Sequence, residues 1–509
     1  MDEKIVKRFI LSETQFPDNA TYVIYGTQKL AKIYYEVLFE WYGKDVVDFF
    51  IDTSLQSKTI FCNHSVMHID QLKSNRKENQ LYIIAAFHNE QDRMWDNMIE
   101  AGIEKSKILP KITYFREDYL EKQLNNCKEI FFYEEFENVQ QIEQWIEESS
   151  YYLDYRGVDI RFHYNCKDLK IISENINFKI HRIDDHFRSK LNKHDIIIVR
   201  NLENIKDVKK IYENSIFCID DEFNAFTKAY MYTAIANFTY GSLDYSVNYK
   251  NNFQRLLDTA EGKKGVLVCG NGPSLKNGIV KNRKLVSQLL PIVCNDLYQM
   301  EDLISIIKPK CYTLSDQFYF QYDSRENLKN ILNYIEKNDC YLIYPLKWQR
   351  LIIQKYNVNI NKIIALDFVR DQIMIPNINN LKCCPSRTVV LTMGVPLGIA
   401  CKKDIYFIGC DGKKMNKDEK KMDKDDNPSF WNYQEGLKVD YLNSYQKKDS
   451  FIGIAMTEEF SDYAIIELES SYEKWINAII DNGHSYYTLT HSYFDILEKN
   501  YLIEKEYSA

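Results

Sequence analysis

The stretch best suited to chemistry is "GVLVCGNGPSLKNG", residues 265–278. Val266 to Cys269 form an apolar run that stops at Gly270-Asn271-Gly272-Pro273-Ser274, so a buried strand is predicted to end in a polar turn. Gly270 and Gly272 let the chain turn sharply. Pro273 suits the first turn of a helix, where its missing N–H costs nothing, and Ser274 adds a hydroxyl. Free N–H groups around Gly272–Leu275 would then point at an anion, making the segment a phosphate cradle. It is neither GxxxxGK[ST] nor GxGxxG. Standing alone, it is equally an ordinary tight turn between strand and helix.

The elements that must position this turn are legible on both sides of it. Downstream come "PIVCND", "CYTLSD", "CYLIYP", "IIALDF", "DIYFIGCD" and "YYTLTH", all but "IIALDF" ending in a small or polar residue. Together with "GVLVCG" they predict a parallel sheet whose carboxyl edge forms a site. Near the start, strand Tyr22–Tyr25 meets Gly26, and "VVDFFID" ends at Asp52. With one glycine of the three, that unit reads as a structural or regulatory Rossmann-like domain more than as a working nucleotide site. "KEIFFYEEF", "HDIIIVRN" and "SIFCIDDEF" mark a middle unit, followed by linking helices rich in Tyr and Phe. The predicted organisation is a Rossmann-like domain over 1–127, a middle α/β unit over 128–261 and a nucleotide-sugar domain over 262–509.

Composition narrows the class. The 509 residues are 45 % apolar and 27 % charged, as in a soluble globular protein. A net charge of −8 without a basic stripe gives no reason to expect nucleic acid. The lysines of 413–424 are interleaved with acids and read as a solvated loop. No run approaches the roughly 18 apolar residues of a membrane span, and the first residues show no signal-peptide pattern. A cytoplasmic location is expected, and the 12 cysteines fit it, many lying in apolar runs as small hydrophobes. No CxxC pair faces another, so no metal site is expected. Peripheral membrane association and self-association stay open.

"GNGPSLK" resembles the first strand-loop of the bacterial sialyltransferases of glycosyltransferase family 42. It also resembles the central domain of the motility-accessory-factor proteins, which share a broader family with the archaeal 6-hydroxymethylpterin diphosphokinases. "PIVCNDLYQM", "KPKCYTLSDQFYF" and "PSRTVVLTMGVPLGIACKKDIYFIGCDG" are similar to later segments of that pattern, in the same order, over roughly the C-terminal half. The resemblance implies a Rossmann-like, GT-A-type variant catalytic domain, preceded by one or two smaller Rossmann-like α/β units. It also implies an inverting, metal-independent glycosyltransferase, moving a nonulosonic acid from a CMP-activated donor to a hydroxyl of a bacterial surface glycan or protein. The donor sugar is then a substrate, and no cofactor is required. Gly270, Asn271, Gly272, Pro273, Ser274, Asn295, Asp316, Ser386, Thr388 and Asp411 map onto the family's nucleotide and sugar contacts. Arg387 would supply one cation to the single phosphodiester. A surface or salt-bridging arginine is the lesser alternative for it, and Asp411 is equally a helix cap.

The chain departs from that family in its acid–base residues. The sialyltransferases use a histidine between the Gly-x-Asp strand and the last strand, but here no histidine occurs between His194 and His484. His491, at the last strand's end, arrives late for the role. Lys413 follows Asp411 where the family has an aromatic residue, and could stabilise phosphate as a point charge. A replacement base would be a carboxylate: Asp440, Glu458, Glu459 or Asp462, with Glu458 and Glu459 first by order. The long stretch 412–460, with Trp431, Tyr433, Tyr441 and Tyr445, suits a lid or acceptor surface. Two alternatives stay open. One is Mg²⁺-dependent pyrophosphoryl transfer, with Asp316 and Asp411 at adjacent strand ends holding the metal. The other is a catalytically inactive nucleotide- or glycan-binding module.

Overall fold

The computed structural model describes residues 19–27, 29–53, 59–86, 88–109, 113–114, 130–135, 139–153, 161–165, 179–182, 196–199, 215–218, 227–240, 243–369, 373–412, 415–416, 421–422 and 458–502. It divides into two compact units, residues 1–240 and 241–509.

The first unit holds two six-stranded sheets. In one, Thr21–Tyr25 lies between Val47–Ile51 and Gln80–Ile84, parallel to both. An antiparallel hairpin, Thr59–Phe61 with His64–Met67, extends one edge, and Ile108–Leu109 extends the other. The second sheet is parallel throughout, in the order Lys179–Arg182, Arg161–Asn165, Ile130–Glu135, Ile196–Val199, Ser215–Cys218 and Thr113–Tyr114. That last strand lies upstream of residue 128.

The second unit is built on one eight-stranded sheet, parallel in every pairing. Its strands in chain order are β1 (Gly265–Cys269), β2 (Leu289–Cys294), β3 (Cys311–Thr313), β4 (Tyr341–Pro345), β5 (Ile363–Phe368), β6 (Lys382–Cys383), β7 (Ile405–Ile408) and β8 (Tyr486–Thr488). Their spatial order is β6-β5-β4-β3-β2-β1-β7-β8. The chain therefore builds outward from β1 in one direction, then returns to lay β7 on the other side of β1. In open α/β sheets the crevice at such a reversal is where ligands bind.

Every residue of β1, β2 and β7 is buried, because helices cover both faces and the strands are apolar throughout instead of alternating. The helices of this unit include α1 (Ser246–Glu261), α2 (Leu275–Lys281), α3 (Arg325–Lys337), α4 (Val395–Ala400) and α5 (Glu458–Asp481). A π-helical turn, Val390–Gly394, leads directly into α4. This helix lies unusually close to the sheet. A Cβ on Gly394 would stand 2.7 Å from Val268 Cγ1, and one on Gly398 2.8 Å from Ile405 Cδ1. Its other face meets α5, whose Leu468, Tyr472, Trp475, Ile476 and Ile479 join the same core. Among the described residues no helix is long and apolar enough to cross a membrane.

Candidate functional site

The turn after β1 is zipped to the turn after β7. Gly270 N–H donates to Ile408 O at 2.8 Å, and Gly272 N–H to Gly409 O at 2.9 Å. A Cβ at Gly270 would stand 2.3 Å from Gly409 O, and one at Gly272 2.0 Å from Asp411 Oδ2. Gly409 itself has φ +66°, a conformation glycine adopts without strain. The glycines thus serve the close approach of two backbone segments at the reversal point.

This pairing corrects the cradle expected from the sequence. Gly272 N–H is taken by Gly409, Ser274 N–H reaches Asp411 Oδ2 at 3.4 Å, and Leu275 N–H donates to Gly272 O at 3.1 Å. The donors expected for an anion are engaged within this turn and by the turn after β7, with a carboxylate among their acceptors. Pro273 is exposed and precedes the helix, which begins at Leu275.

What the edge does present is acceptors. Asn271 Nδ2 donates to Cys294 O at 3.2 Å, tying the β1 turn to the end of β2. That bond fixes the amide's orientation and leaves Oδ1 as the free end. Asn271 Oδ1 is buried with no hydrogen-bond partner among the described residues, and so is Asn295 Oδ1. Asn295 has φ +55°, a left-handed conformation that asparagine tolerates better than most residues. The Tyr312 hydroxyl holds it there by donating to Asn295 O, while accepting from Tyr298 N–H at 3.1 Å.

Two half-buried carboxylates flank these amides. Burial pushes the Asp411 carboxyl up, opposed by its hydrogen bonds from Ser274. Burial also raises Asp316, whose Oδ1 accepts from Phe318 N–H at 2.9 Å and caps the turn Gln317–Phe320. The two are not at adjacent strand ends. β2 and β1 separate β3 from β7, three steps of the sheet or roughly 14 Å, which is too wide for both to hold one cation from their strand ends.

The turn after β8 buttresses Asp411. Thr490 Oγ1 accepts from Gly409 N–H at 3.2 Å, Ser492 Oγ donates to Cys410 O at 2.8 Å, and Tyr493 N–H donates to Asp411 O at 2.7 Å. Beneath, Cys269, Cys294 and Cys410 are buried thiols, with Cys410 pushed up to about 12 by burial. They stay protonated and act as packing. Sequence reasoning missed Thr490 and Ser492, whose one signal was a polar cluster after the last strand.

The other expected residues are placed as follows. Ser386 and Thr388 shape the start of the Val390–Ala400 helix. Ser386 N–H donates to Thr392 Oγ1 at 2.9 Å, and Thr388 Oγ1 accepts from Leu391 N–H at 3.2 Å. Arg387 forms an ion pair with Glu467 on α5. His491 hydrogen-bonds Glu498 at 2.8 Å and packs on the Tyr501 ring. Lys413, Trp431, Tyr433, Asp440, Tyr441 and Tyr445 lie outside the described residues, as do the side chains of Glu458, Glu459 and Asp462 in the first turns of α5.

No family model matches this chain, and no curated protein does. A solved structure of the MAf glycosyltransferase from Magnetospirillum magneticum is similar at 13 % identity and a TM-score of 0.22. The match takes in 46 % of this chain and 45 % of that one, so it spans less than half of either protein. A score that low fixes neither fold nor activity.

Proposed function

We propose that the carboxyl edge around β7, β1, β2 and β3 binds a CMP-activated nonulosonic acid, and that the protein transfers the sugar to a hydroxyl of a surface glycan or protein. The observation that carries this reading is the pair of buried, unpartnered acceptors Asn271 Oδ1 and Asn295 Oδ1 at the strand-order reversal. Buried polar atoms in native proteins are normally paired, and two acceptors side by side suit the hydroxyl and amino donors of a nucleoside or sugar. The resemblance of "GNGPSLK" and the three later segments to the sialyltransferase pattern names the class of ligand.

In this reading the anomeric C–O bond to the phosphate breaks, a C–O bond to the acceptor hydroxyl forms, and CMP leaves. A carboxylate takes the acceptor proton, with Glu458 and Glu459 the candidates. Arg387 stabilises the phosphate after exchanging Glu467 for it, and Lys413 assists.

The test is CMP release from CMP-sialic, CMP-pseudaminic and CMP-legionaminic acid, with glycan acceptors present and EDTA added. Release with one donor, undiminished by EDTA and reduced at least about tenfold in Asn295→Leu, supports the reading. Turnover of none of them, or turnover of ATP with Mg²⁺ instead, overturns it. A second reading, binding without turnover, is favoured by the Arg387–Glu467 ion pair, and would show as tight CMP binding with no release.

A further inference from the structure

Three donor side chains recur where the chain leaves the turn after β3 and enters α3. Gln321 and Ser324 are 8 % and 1 % exposed. Gln321 Nε2, Ser324 Oγ and Asn327 Nδ2 are buried with no hydrogen-bond partner among the described residues. They are spaced three residues apart through the 3-10 turn Tyr322–Ser324 and the first turn of α3. Ser324 and Asn327 share one face as the N-cap and third residue of α3, and Gln321, extended at φ −82° and ψ 153°, is the N-cap of the 3-10 turn before it. Ser324 is the N-cap of α3 yet makes no side-chain capping bond. The helix is 13 residues long, so its dipole puts partial positive charge at this end.

In a parallel sheet, the helix after a strand begins at that strand's carboxyl end. The three donors therefore belong to the same edge as Asn295 and Asp316. Of the nearby charged groups, Asp323 is exposed, and the others are engaged elsewhere. Glu326 pairs with Lys329 at 3.8 Å, and Arg325 lies over the Tyr322 ring at 3.9 Å while donating to Tyr322 O at 3.0 Å. Leaving one buried donor unpaired is costly. Three in succession at a helix start call for an acceptor-only group with several lone pairs, which describes an oxyanion.

We propose that Gln321, Ser324 and Asn327 form an oxyanion subsite, which takes the phosphate or the carboxylate of the substrate bound at the same edge. The identity of that substrate rests on the CMP-sugar reading; oxyanion binding does not. The donor set of α3 complements the acceptors Asn271 and Asn295, so the anionic and hydroxyl-bearing parts of one ligand would be read by different strand ends.

The test uses the full chain and a Ser324→Ala/Asn327→Leu variant, with Gln321→Met as a second. Each is titrated by calorimetry and thermal melting with inorganic phosphate, N-acetylneuraminate, CMP and cytidine. Phosphate or N-acetylneuraminate should raise the wild-type Tm, and both variants should bind it at least about tenfold more weakly. Unliganded variants should melt no lower than wild type, because the apolar replacements remove unpaired donors. Protection by phosphate alone assigns the phosphate, and protection by N-acetylneuraminate alone the carboxylate. Cytidine, with neither group, should bind wild type and variants equally. The proposal is overturned if neither oxyanion shifts the wild type, if the variants bind oxyanions unchanged, or if both unliganded variants lose stability. Oxyanion protection without cytidine or CMP binding would instead keep the subsite and overturn the CMP-sugar reading.

Discussion

Gly270 lies where the turns after β1 and β7 meet. A methyl group there would meet the Gly409 carbonyl at 2.3 Å, and backbone does not give way as a side chain tip does. Gly270→Ala should cost about 1–3 kcal/mol in urea unfolding, where an ordinary turn glycine with open space would cost a few tenths. Asp411 gives a second expectation, in pH. Burial raises its carboxyl, so the folded protein holds that proton more tightly than the unfolded chain does. The contribution of Asp411 to stability must then fall as pH rises from the ordinary carboxylate range through the raised folded value, and level off above it. Asp411→Asn lacks this fall and keeps an acceptor for Ser274 N–H. The stability difference between the two should move in the variant's favour with rising pH; a difference flat across the acid range would contradict the stated cause. Glycine and aspartate were legible in the sequence as residue types. Their reason was not, since only the crossing of two distant turns shows that Gly270 and Gly272 yield to backbone and a carboxylate in place of phosphate.

At the level of elements, the strands that read as uninterrupted apolar runs were the legible ones. "IIALDF" is β5 residue for residue, and "GVLVC" is β1. The missed strands lack such a run. "RFHYN" and "KIHR" are strands in the middle sheet despite their charges, and β6 is two residues long. The hairpin of Thr59–Met67 turns on Cys62 and Asn63 at φ +49° and +65°, without the Asn-Gly or Asp-Gly that announces such a turn. The Val390–Ala400 helix carries the prediction at this scale. It rests on β1 through Gly394 and Val268, so Gly394→Ala should destabilise by about 1–3 kcal/mol. Trimming the opposed side chain makes room. In a double-mutant cycle with Val268→Ala, the penalty of Gly394→Ala should shrink by at least about 0.5 kcal/mol. Strict additivity would mean the helix does not bear on β1 in this way.

Across the whole molecule, what the sequence could not carry is the order in which strands lie side by side. Seven of the eight strands of the large sheet were expected in chain order, yet chain order alone let Asp316 and Asp411 be imagined as neighbours. The return of β7 to the far side of β1 separates them and brings Asp411 onto the Gly270–Ser274 turn. Each unit also has a core of its own. One cluster draws on residues from Phe253 to Leu497, and another on residues from Val23 to Ile108. Residues 241–509 expressed alone should therefore unfold cooperatively in urea and keep ligand binding; a non-cooperative transition would place part of their stability outside the unit. Under the proposed function, the switch-point edge of this unit reads a cytidine nucleotide. The most direct measurement is titration calorimetry of CMP, UDP, GDP and ATP against wild type and Asn271→Leu, with EDTA and with Mg²⁺. CMP should bind in EDTA and weaken at least about tenfold in the variant. Binding of ATP only with Mg²⁺, or CMP binding that ignores Asn271, would contradict the account.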